Sequence, residues 1–361
     1  MLVALLFLLA QAPRETPAAP RPSERVLIKA AHLIDGRSDS SRDGLAVLVE
    51  SERIAKIGPA AELQAPGIKV IDLGNAWLLP GLIDAHTHLL LQGDITAPLT
   101  GYSWELRVPE GVLIADGVEG VRRAVREQVK HGADWIKFYA DGRYYKTTDP
   151  RRPLRSWVKF TKPEMEAIVD EAHRLGRKVA AHAMAWDGID AALTARVDSI
   201  EHGYGLTDDL IDRIVKQNVY WCPTIYVGIW VAQGRGGIWP EMIPIEREAF
   251  AKALKRGVRI AYGTDAGGYA WTENQAKELS ILVRYGMTPM AAIRSATSVA
   301  AALLDPLCPP QAASCEGSGL GMIAPGKLAD LIAVAADPLQ DVSSLEHVHF
   351  VMKNGEVVKN R

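Results

Sequence analysis

The middle of the chain, residues 81–305, alternates short apolar runs with longer amphipathic segments. The amphipathic segments repeat apolar residues at three- and four-residue spacings, which predicts helices, whereas the short apolar runs predict buried strands. The clearest series is EMEAIVDEAHRLG (helix), KVAAHA (strand), DGIDAALTA (helix) and DSIEHG (strand). Repeated strand–helix units predict an α/β fold with a parallel sheet and right-handed crossovers.

The flanking segments have a different pattern. Residues 25–80 consist of short β-like runs separated by Gly and Asp turns, and a similar pattern returns near the C-terminus, where Asn354-Gly355 is a strong hairpin signal. Since these segments flank the α/β body, we expect them to pair into one small β-sandwich built from both termini. This predicts a composite β domain of residues 25–80 and 316–361 and a body of residues 81–315.

The first 24 residues are expected to lie outside the fold. Residues 2–10 are almost wholly apolar and small residues precede a cut after Ala12, which is typical of a secretory signal peptide over residues 1–12. No Lys or Arg precedes the apolar run, and a disordered apolar tail is the alternative. The Pro-rich residues 13–24 then predict a flexible leader, and the mature protein is expected to be periplasmic or secreted.

The bulk composition narrows the function classes. The chain has 361 residues, of which 48% are apolar and 23% charged, and a net charge of −2, as in ordinary soluble globular proteins. It has no basic block that would favour nucleic acid and, after signal cleavage, no apolar run long enough to span a membrane. We therefore expect a small-molecule substrate as the partner, and the number of subunits stays open, with a homo-oligomer among the alternatives.

The chain has three cysteines. Cys222 follows an apolar run and is predicted to lie in the core. Cys308 and Cys315 bracket a loop rich in Pro and Ala, and in an oxidising compartment they would form a disulfide bond. Two free surface thiols are the alternative.

Side chains that bind metal ions stand at the ends of several predicted strands. They are His86 and His88 (GLIDAHTH), Lys137 (GADWIKFYA), His182 (KVAAHA), His202 (SIEHG) and Asp265 (AYGTDAG). In a (β/α)8 barrel, catalytic groups collect at the carboxyl ends of the strands. The order of these residues therefore predicts a metal site at that rim.

Two of these positions support the interpretation by their local pattern. His86 and His88 are two residues apart on a predicted strand, so both side chains point the same way and can bind one first-row metal ion. Lys137 stands in the apolar run Trp135–Phe138, and burial there would leave its amine neutral and nucleophilic. A lysine that extends to solvent at the strand end is the alternative.

Taken together, the motifs LPGLIDAHTH, GADWIKFYA, DSIEHG, GTDAG and GMIAPGKLADLIAV resemble the amidohydrolase superfamily. The resemblance is to its imidazolonepropionase-like and Xaa-Pro dipeptidase-like enzymes, and it runs from about residue 25 to the C-terminus. It implies a TIM-like (β/α)8 barrel with two divalent metal ions, for which zinc is the default. The histidine pair and Asp265 would bind one metal ion, and His182 and His202 the other. Lys137 would bridge the two metal ions as a carbamate formed with CO2.

The resemblance also implies a reaction. A metal-bridged hydroxide would attack an amide carbon, while Asp265 takes up the proton and passes it to the leaving amine. Arg143, Tyr144 and Tyr226 follow predicted strands and could bind a substrate carboxylate, as in relatives that cleave dipeptides or N-acyl amino acids; ordinary loop packing is the alternative. We therefore expect hydrolysis of an amide bond in a dipeptide-like or N-acyl amino acid substrate. The alternatives are cyclic amide, carbamate or xenobiotic substrates.

One interval is too short for a complete barrel. A strand–helix unit takes about 30 residues, so the three units between strands 1 and 4 should take about 90. Lys137 follows His88 by only 49 residues. We therefore expect the region of barrel strands 2 and 3 to be missing, with the gap near residues 96–101. A truncated, inactive relative is the remaining alternative.

Overall fold

The computed structural model describes residues 24–89, 113–305 and 319–361. The predicted signal peptide, nearly all of the leader, the Cys308–Cys315 disulfide and the expected gap near residues 96–101 lie outside the described residues. Within those ranges, no helix is both long enough and apolar enough to cross a bilayer.

Residues 24–89 are dominated by short strands. In chain order the elements are β1 (Arg25–Lys29), β2 (His32–Leu33), β3 (Arg42–Asp43), β4 (Leu45–Glu50), β5 (Arg53–Pro59), α1 (Ala60–Leu63), β6 (Lys69–Asp72) and β7 (Trp77–Pro80).

Residues 113–305 carry the alternating strands and helices. These are α2 (Gly117–Lys130), β8 (Trp135–Tyr139), β9 (Asp141–Lys146), β10 (Leu154–Val158), α3 (Lys162–Arg174), β11 (Lys178–Ala183), α4 (Trp186–Ala195), β12 (Ser199–His202), α5 (Asp208–Gln217), β13 (Tyr220–Cys222), α6 (Ile225–Arg235), α7 (Trp239–Lys255), β14 (Arg259–Ile260), α8 (Lys277–Arg284), α9 (Pro289–Arg294), a π-helical turn (Ser295–Val299) and α10 (Ala300–Leu304).

Residues 319–361 return to strands. They contain β15 (Leu331–Val334), a 3-10 helix (Val342–His347), β16 (Phe350–Lys353) and β17 (Glu356–Asn360). Asn354 and Gly355 form the turn between β16 and β17 with φ angles of 48° and 78°. The predicted hairpin is therefore confirmed.

The strands from the two ends of the chain share one sheet. Its order is β17-β16-β15-β7-β2-β3, with Trp77–Pro80 of β7 antiparallel to Leu331–Val334 of β15. A second sheet has the order β5-β4-β1-β6. Side chains of both sheets, such as Ile28, Leu78 and Phe350, belong to one buried cluster.

A five-stranded parallel sheet with the order β14-β13-β12-β11-β8 forms the centre of the molecule. Its strands are nearly level at their carboxyl ends, because His182 of β11 pairs with Tyr139 of β8 and Ala183 pairs with His202 of β12. Helices α2 to α5 pack on the outer side of this sheet around one large apolar cluster. The level ends bring the residues that follow each strand to the same edge.

The segment that contains the histidine pair lies beside the end of β14. Ala85 N–H donates to Tyr262 O (3.0 Å), His88 N–H donates to Ala266 O (2.7 Å), and Thr87 pairs in parallel with Ala266. The Asp84 carboxyl group reinforces this contact, since its two oxygens accept from Thr264 N–H (3.1 Å) and from the Thr264 hydroxyl (2.5 Å). A sixth parallel segment therefore extends the central sheet beyond β14.

The helices follow local sequence signals. The α3 helix begins with a capping box, in which the Glu164 carboxylate accepts from Thr161 N–H at 2.7 Å, and Pro163 lies in its first turn. Further along α3, the buried Glu171 carboxylate pairs with the guanidinium groups of Arg122 and Arg126, which hold α2 against α3, and with that of Arg174 in its own helix.

Most predicted elements between residues 113 and 305 are confirmed. The expected helices match α3 and α4, and the expected strands match β11 and β12. At the other edge of the sheet, the described residues contain no strand that pairs with β8 on the side away from β11. Residues 113–116, which include part of the apolar run Val112 to Ile114, have no regular structure.

Candidate metal centre

The six side chains selected from the sequence meet at the carboxyl edge of the central sheet. His86 lies 3.5 Å from Asp265 and 3.4 Å from Lys137, measured between His86 Nε2 and the Asp265 Oδ1 and Lys137 Nζ atoms. The His202 ring lies 5.0 Å from that of His86 and 4.5 Å from that of His182, measured between ring centres. The sixth residue, His88, is part of the same cluster through Asp265. Residues that are up to 179 positions apart in sequence thus form one group.

His86, His88 and Asp265 form the tightest set of donors. Their ligand atoms all lie within 4.8 Å of one another, and His88 Nε2 is 3.0 Å from Asp265 Oδ1. Burial alone would raise the pKa of Asp265, but the hydrogen bond with His88 and the proximity of His86 and His202 lower it well below its usual range. The Asp265 carboxylate is therefore ionised at neutral pH, as a metal ligand or a proton acceptor must be.

A buried carboxylate fixes the orientation of His86. His86 Nδ1 and Glu201 Oε2 are 2.6 Å apart, and the Ser199 hydroxyl donates to the other Glu201 oxygen at 2.5 Å. Burial would raise the pKa of Glu201, but His86 and Lys137 lower it to about 2. Because the carboxylate holds Nδ1–H, the Nε2 atom of His86 remains available to a metal ion.

Cys222 belongs to the same buried layer. Its thiol and one ligand atom each of His86 and Glu201 also lie within 4.8 Å of one another, but His86 and Glu201 are already joined by a short hydrogen bond. Cys222 is fully buried and free, which confirms its predicted place in the core. Burial and the neighbouring Glu201 raise the pKa of the thiol, so it stays neutral.

His202, like His86, is held at its Nδ1 atom. Its Nδ1 atom lies 2.7 Å from the Thr224 hydroxyl, and burial lowers its pKa to about 3, so the ring is neutral at pH 7. The backbone at His202 has a φ of 72°, and the Trp221 indole N–H donates to its carbonyl at 2.8 Å. Gly203 is required there, since a Cβ would lie 2.5 Å from the Trp221 indole nitrogen.

His182 differs from the other buried histidines. Its Nε2 atom, not Nδ1, is engaged, at 2.7 Å from the Tyr144 hydroxyl. Burial and the neighbouring His202 and Lys137 lower the pKa of His182 well below its usual value, which keeps the ring neutral. The Tyr139 ring lies 4.5 Å from the His182 ring on the side of β8.

The expectation that Lys137 is buried is wrong. Along β8, Ile136 and Phe138 are buried while Lys137 and Tyr139 are exposed. The buried pair lies in the apolar cluster shared with the helices, and strand alternation places the exposed pair on the opposite face. That face is accessible because β8 has a strand neighbour on one side only within the described residues.

The three residues expected to bind a substrate carboxylate lie in different surroundings. Tyr144 contacts His182, whereas the guanidinium of Arg143 lies 5.3 Å from the centre of the Trp157 ring. The Tyr226 hydroxyl donates to Glu273 at 2.8 Å. Tyr144 is therefore in direct contact with a member of the proposed metal cluster.

An aromatic cluster adjoins Asp265 on the side of α6. It contains Tyr226, Trp230, Tyr269, Trp239 and Trp271 together with Ala266, the residue after Asp265. The Tyr226 and Tyr269 rings meet edge to face at 5.0 Å. This side of the site is therefore apolar and aromatic.

Sequence reasoning missed the residues that contact the histidine rings. Glu201 and Thr224 bind the Nδ1 atoms of His86 and His202, and Asp141 lies 3.9 Å from His182 Nε2. The sequence carries only a weak signal for one of them, Glu201, which is an acidic residue near the end of an otherwise apolar strand.

The comparisons with known proteins agree with this geometry. A model of the amidohydrolase family matches residues 95–358. The chain belongs to the amidohydrolase family. The predicted superfamily is therefore confirmed, and family membership assigns the α/β body to a TIM-like barrel fold.

Individual amidohydrolases are similar to different extents. The ochratoxinase of Aspergillus niger is 34% identical over 259 residues, which cover 68% of this chain and 50% of the relative. The chain thus spans about half the length of the curated relatives it matches first. A solved Xaa-Pro dipeptidase with methionine bound in its active site is 28% identical with a TM-score of 0.77, covering 93% of this chain and 100% of that one. The imidazolonepropionase of Pseudomonas putida is 36% identical over 105 residues, covering 27% of this chain and 26% of the relative.

Proposed function

We propose that this chain is a binuclear metal-dependent amidohydrolase that cleaves the amide bond of a dipeptide-like or N-acyl amino acid substrate. The observation that supports it most directly is the convergence of six potential ligands at one edge of the sheet, with three histidine rings each held at one nitrogen. Imidazole nitrogens fixed in this way and an ionised carboxylate suit a divalent first-row metal ion such as zinc.

The donor groups divide between two metal positions. His86, His88 and Asp265 would hold one metal ion, since their ligand atoms already lie together. His182 and His202 would hold the other, and Lys137, as a carbamate formed with CO2, would bridge the two. Such metal ions lower the pKa of a bound water and polarise a scissile carbonyl group.

Asp265 carries out the proton transfers of the proposed reaction. The Asp265 carboxylate takes the proton of the attacking water and donates it to the leaving amine nitrogen as the C–N bond breaks. Burial keeps His182 and His202 neutral, which leaves one ring nitrogen of each able to bind a metal ion. The aromatic cluster next to Asp265 excludes water from one side of the site.

The substrate class is supported by relatives as well as by the site. The names of the similar Xaa-Pro dipeptidase and ochratoxinase indicate hydrolysis of a dipeptide and of ochratoxin. Arg143 precedes Tyr144 in β9, and we propose it as the cation that binds a substrate carboxylate. Cyclic amide, carbamate or xenobiotic substrates are the second substrate class. The two classes are separated by comparing the rate of hydrolysis of each amino acid amide with that of its analogue without the carboxylate.

We further propose that the barrel is shortened. The exposed Lys137 and the edge of β8 that has no strand neighbour among the described residues support this interpretation, as does the short interval between His88 and Lys137. The same features favour the second candidate function, an inactive relative that retains the metal ligands.

Metal stoichiometry tests whether the proposed centre assembles, and hydrolysis of the substrate panel then separates an active enzyme from an inactive relative that still binds zinc. Purified protein reconstituted with zinc and bicarbonate is expected to hold about two zinc ions per chain by elemental analysis, and Lys137→Ala fewer. Lys130→Ala, at the exposed end of α2, is the matched control and should retain the wild-type content. Near-zero zinc in the wild-type protein would contradict the enzyme proposal.

Export and processing are also proposed from the sequence. We expect the mature protein to be periplasmic or secreted and to begin at Pro13. N-terminal sequencing of the protein recovered from a secreting host tests this. Intact mass before and after thiol alkylation tests the Cys308–Cys315 bridge. Light scattering gives the number of subunits.

A further inference from the structure

Three histidines at the proposed metal centre, the buried His86 and His202 and the partly buried His182, are each held at one ring nitrogen. His86 and His202 are held at Nδ1, by Glu201 and Thr224 respectively, whereas His182 is held at Nε2 by Tyr144. A neutral imidazole carries one ring hydrogen, and only the nitrogen without it can bind a metal ion. The partner of each ring therefore decides which nitrogen is the ligand.

For His182 the partner is a hydroxyl, which can either donate or accept. If the Tyr144 hydroxyl donates to Nε2, the ring hydrogen lies on Nδ1 and His182 has no free nitrogen for a metal ion. If the hydroxyl instead accepts from Nε2–H, its own hydrogen needs a different acceptor and Nδ1 is free. The direction of this one hydrogen bond thus controls the metal site.

The structure provides that acceptor. Asp141 Oδ1 lies 3.5 Å from the Tyr144 hydroxyl, which donates to it, and 3.9 Å from His182 Nε2. The intervening hydroxyl is closer to both groups than they are to each other. A chain of hydrogen bonds from His182 Nε2–H through the Tyr144 oxygen to Asp141 satisfies all three groups.

Asp141 is held firmly in this position. It is fully buried, and its Oδ2 atom accepts from the Ser156 hydroxyl (2.8 Å) and from Ala185 N–H at the start of α4 (3.0 Å). Gly188 leaves room for the carboxylate, since a Cβ there would lie 2.4 Å from Oδ2. With Oδ2 engaged on this side, Oδ1 faces Tyr144.

We propose that Asp141 and Tyr144 form a relay that places the ring hydrogen of His182 on Nε2, so that His182 presents Nδ1 to the second metal ion. The inference rests on the proposed function for the identity of the ligand set, but the relay itself is present in the metal-free protein. Tyr144 is therefore a positioning residue for His182, whereas the sequence had suggested a contact with substrate. Asp141, which the sequence did not single out, is the acceptor that sets the direction of the relay.

The first test is the tautomer of His182 in the metal-free protein. Long-range ¹H–¹⁵N correlation spectra of the imidazole rings, assigned with a His182→Gln variant, should show Nε2 protonated in the wild type. Tyr144→Phe should convert this signal to a mixture of tautomers or to the Nδ1–H form. Tyr145→Phe is the matched control, because it removes the same hydroxyl from the next residue of the hairpin, whose side chain is exposed, and should leave the signal unchanged. An Nδ1–H tautomer in the wild type, or an unchanged signal in Tyr144→Phe, would overturn the proposal.

The second test is zinc affinity, measured by competition with a chromophoric chelator. Tyr144→Phe is expected to weaken one of the two zinc ions by about 10- to 100-fold and to leave the other unchanged. The double variant Asp141→Asn/Tyr144→Phe should lose no more than Tyr144→Phe alone, because both changes break one relay. Additive losses would contradict a relay. If Asp141→Asn does not fold, the comparison of Tyr144→Phe with Tyr145→Phe still decides. A wild-type protein that binds fewer than two zinc ions refutes the proposed function, whereas the metal-free spectra still test the relay.

Discussion

Replacement of Glu201 by glutamine tests whether a carboxylate behind His86 tunes the metal centre. The Glu201 side chain is only 3% exposed, so water cannot replace the lost charge. Its Oε2 atom lies 2.6 Å from His86 Nδ1, and its other oxygen accepts from Ser199. Glutamine has the same shape and can still accept from His86, but the hydrogen bond is no longer charge-assisted.

The size of the effect follows from the two kinds of hydrogen bond. A hydrogen bond to a charged group contributes about 1.5–3 kcal/mol, and a neutral one about 0.5–1.5 kcal/mol. The difference of about 1–1.5 kcal/mol corresponds to about tenfold in an equilibrium constant. The carboxylate stabilises the Nδ1–H form of His86, which is the form that presents Nε2, so Glu201→Gln is expected to weaken zinc binding by about tenfold.

The assay is a zinc titration against a chelator, in parallel with thermal unfolding of the metal-free proteins. Ser199→Ala is the matched control, because it removes one donor to Glu201 but leaves the carboxylate on His86. It should change zinc affinity much less than Glu201→Gln. Equal affinities for Glu201→Gln and wild type, or equal losses in both variants, would refute the role assigned to the carboxylate.

Three further predictions concern stability. Glu171→Gln removes the charge that three guanidinium groups share, and the free energy of unfolding in urea should fall by about 3 kcal/mol at pH 7; because these groups lower the pKa of Glu171 to about 2, the wild-type advantage should be complete above pH 4.5 and disappear as the pH falls towards 2. Gly203→Ala, at a φ of 65° and against the Trp221 indole, should lower the free energy of unfolding by about 1–2 kcal/mol through backbone strain and by a further 1–3 kcal/mol through overpacking. The control Gly44→Ala, at a φ of 69° with no atom within 4 Å of the new Cβ, should show only the strain. Equal losses in urea unfolding would contradict the clash with Trp221. Burial raises the pKa of Glu278 to about 8, so the stability of the metal-free protein should decline as the pH rises from 4.5 through 8, and Glu278→Gln should flatten that decline in unfolding curves at pH 5 and pH 8.

The convergence of these six side chains could be predicted from the sequence because it depends on local pattern. Each apolar strand ends at a residue that can bind a metal ion, and parallel strands bring their carboxyl ends to one edge. His182 and His202 therefore meet although neither residue alone indicates a site. The same reasoning identified the helices, whose apolar periodicity is independent of the rest of the fold.

The exposure of Lys137 could not be predicted in this way. The apolar run around it is real, and Ile136 and Phe138 are buried as expected. However, the burial of the opposite face of a strand depends on the strands beside it and the elements across the barrel. In the described part of the chain β8 has a neighbour on one side only, and the face with Lys137 and Tyr139 stays exposed.

The partners of the histidines were missed for a related reason. Glu201 is 115 residues from His86, and Asp141 is 41 residues from His182; their contacts exist only after the strands have assembled. The sequence does not predict which histidine a buried acid contacts, since several histidines lie at the same edge of the sheet. The hydrogen bonds of the folded state select one partner for each ring, and through it one metal-binding nitrogen.

The exposure of Lys137 has a consequence for how the centre would assemble. An accessible amine can react with dissolved CO2, but a carbamate that faces water also loses CO2 readily unless its oxygens are held. Of the neighbours that could hold it, His86 is 3.4 Å away and already bound to Glu201 through its other nitrogen. The carbamate would therefore persist only with both metal ions in place, and metal uptake and carbamate formation should depend on each other. We accordingly expect zinc binding to be cooperative with bicarbonate, and Lys137→Ala to bind zinc with no dependence on bicarbonate. Zinc titrations with and without bicarbonate measure this directly, and a wild-type protein indifferent to bicarbonate would contradict the bridging role.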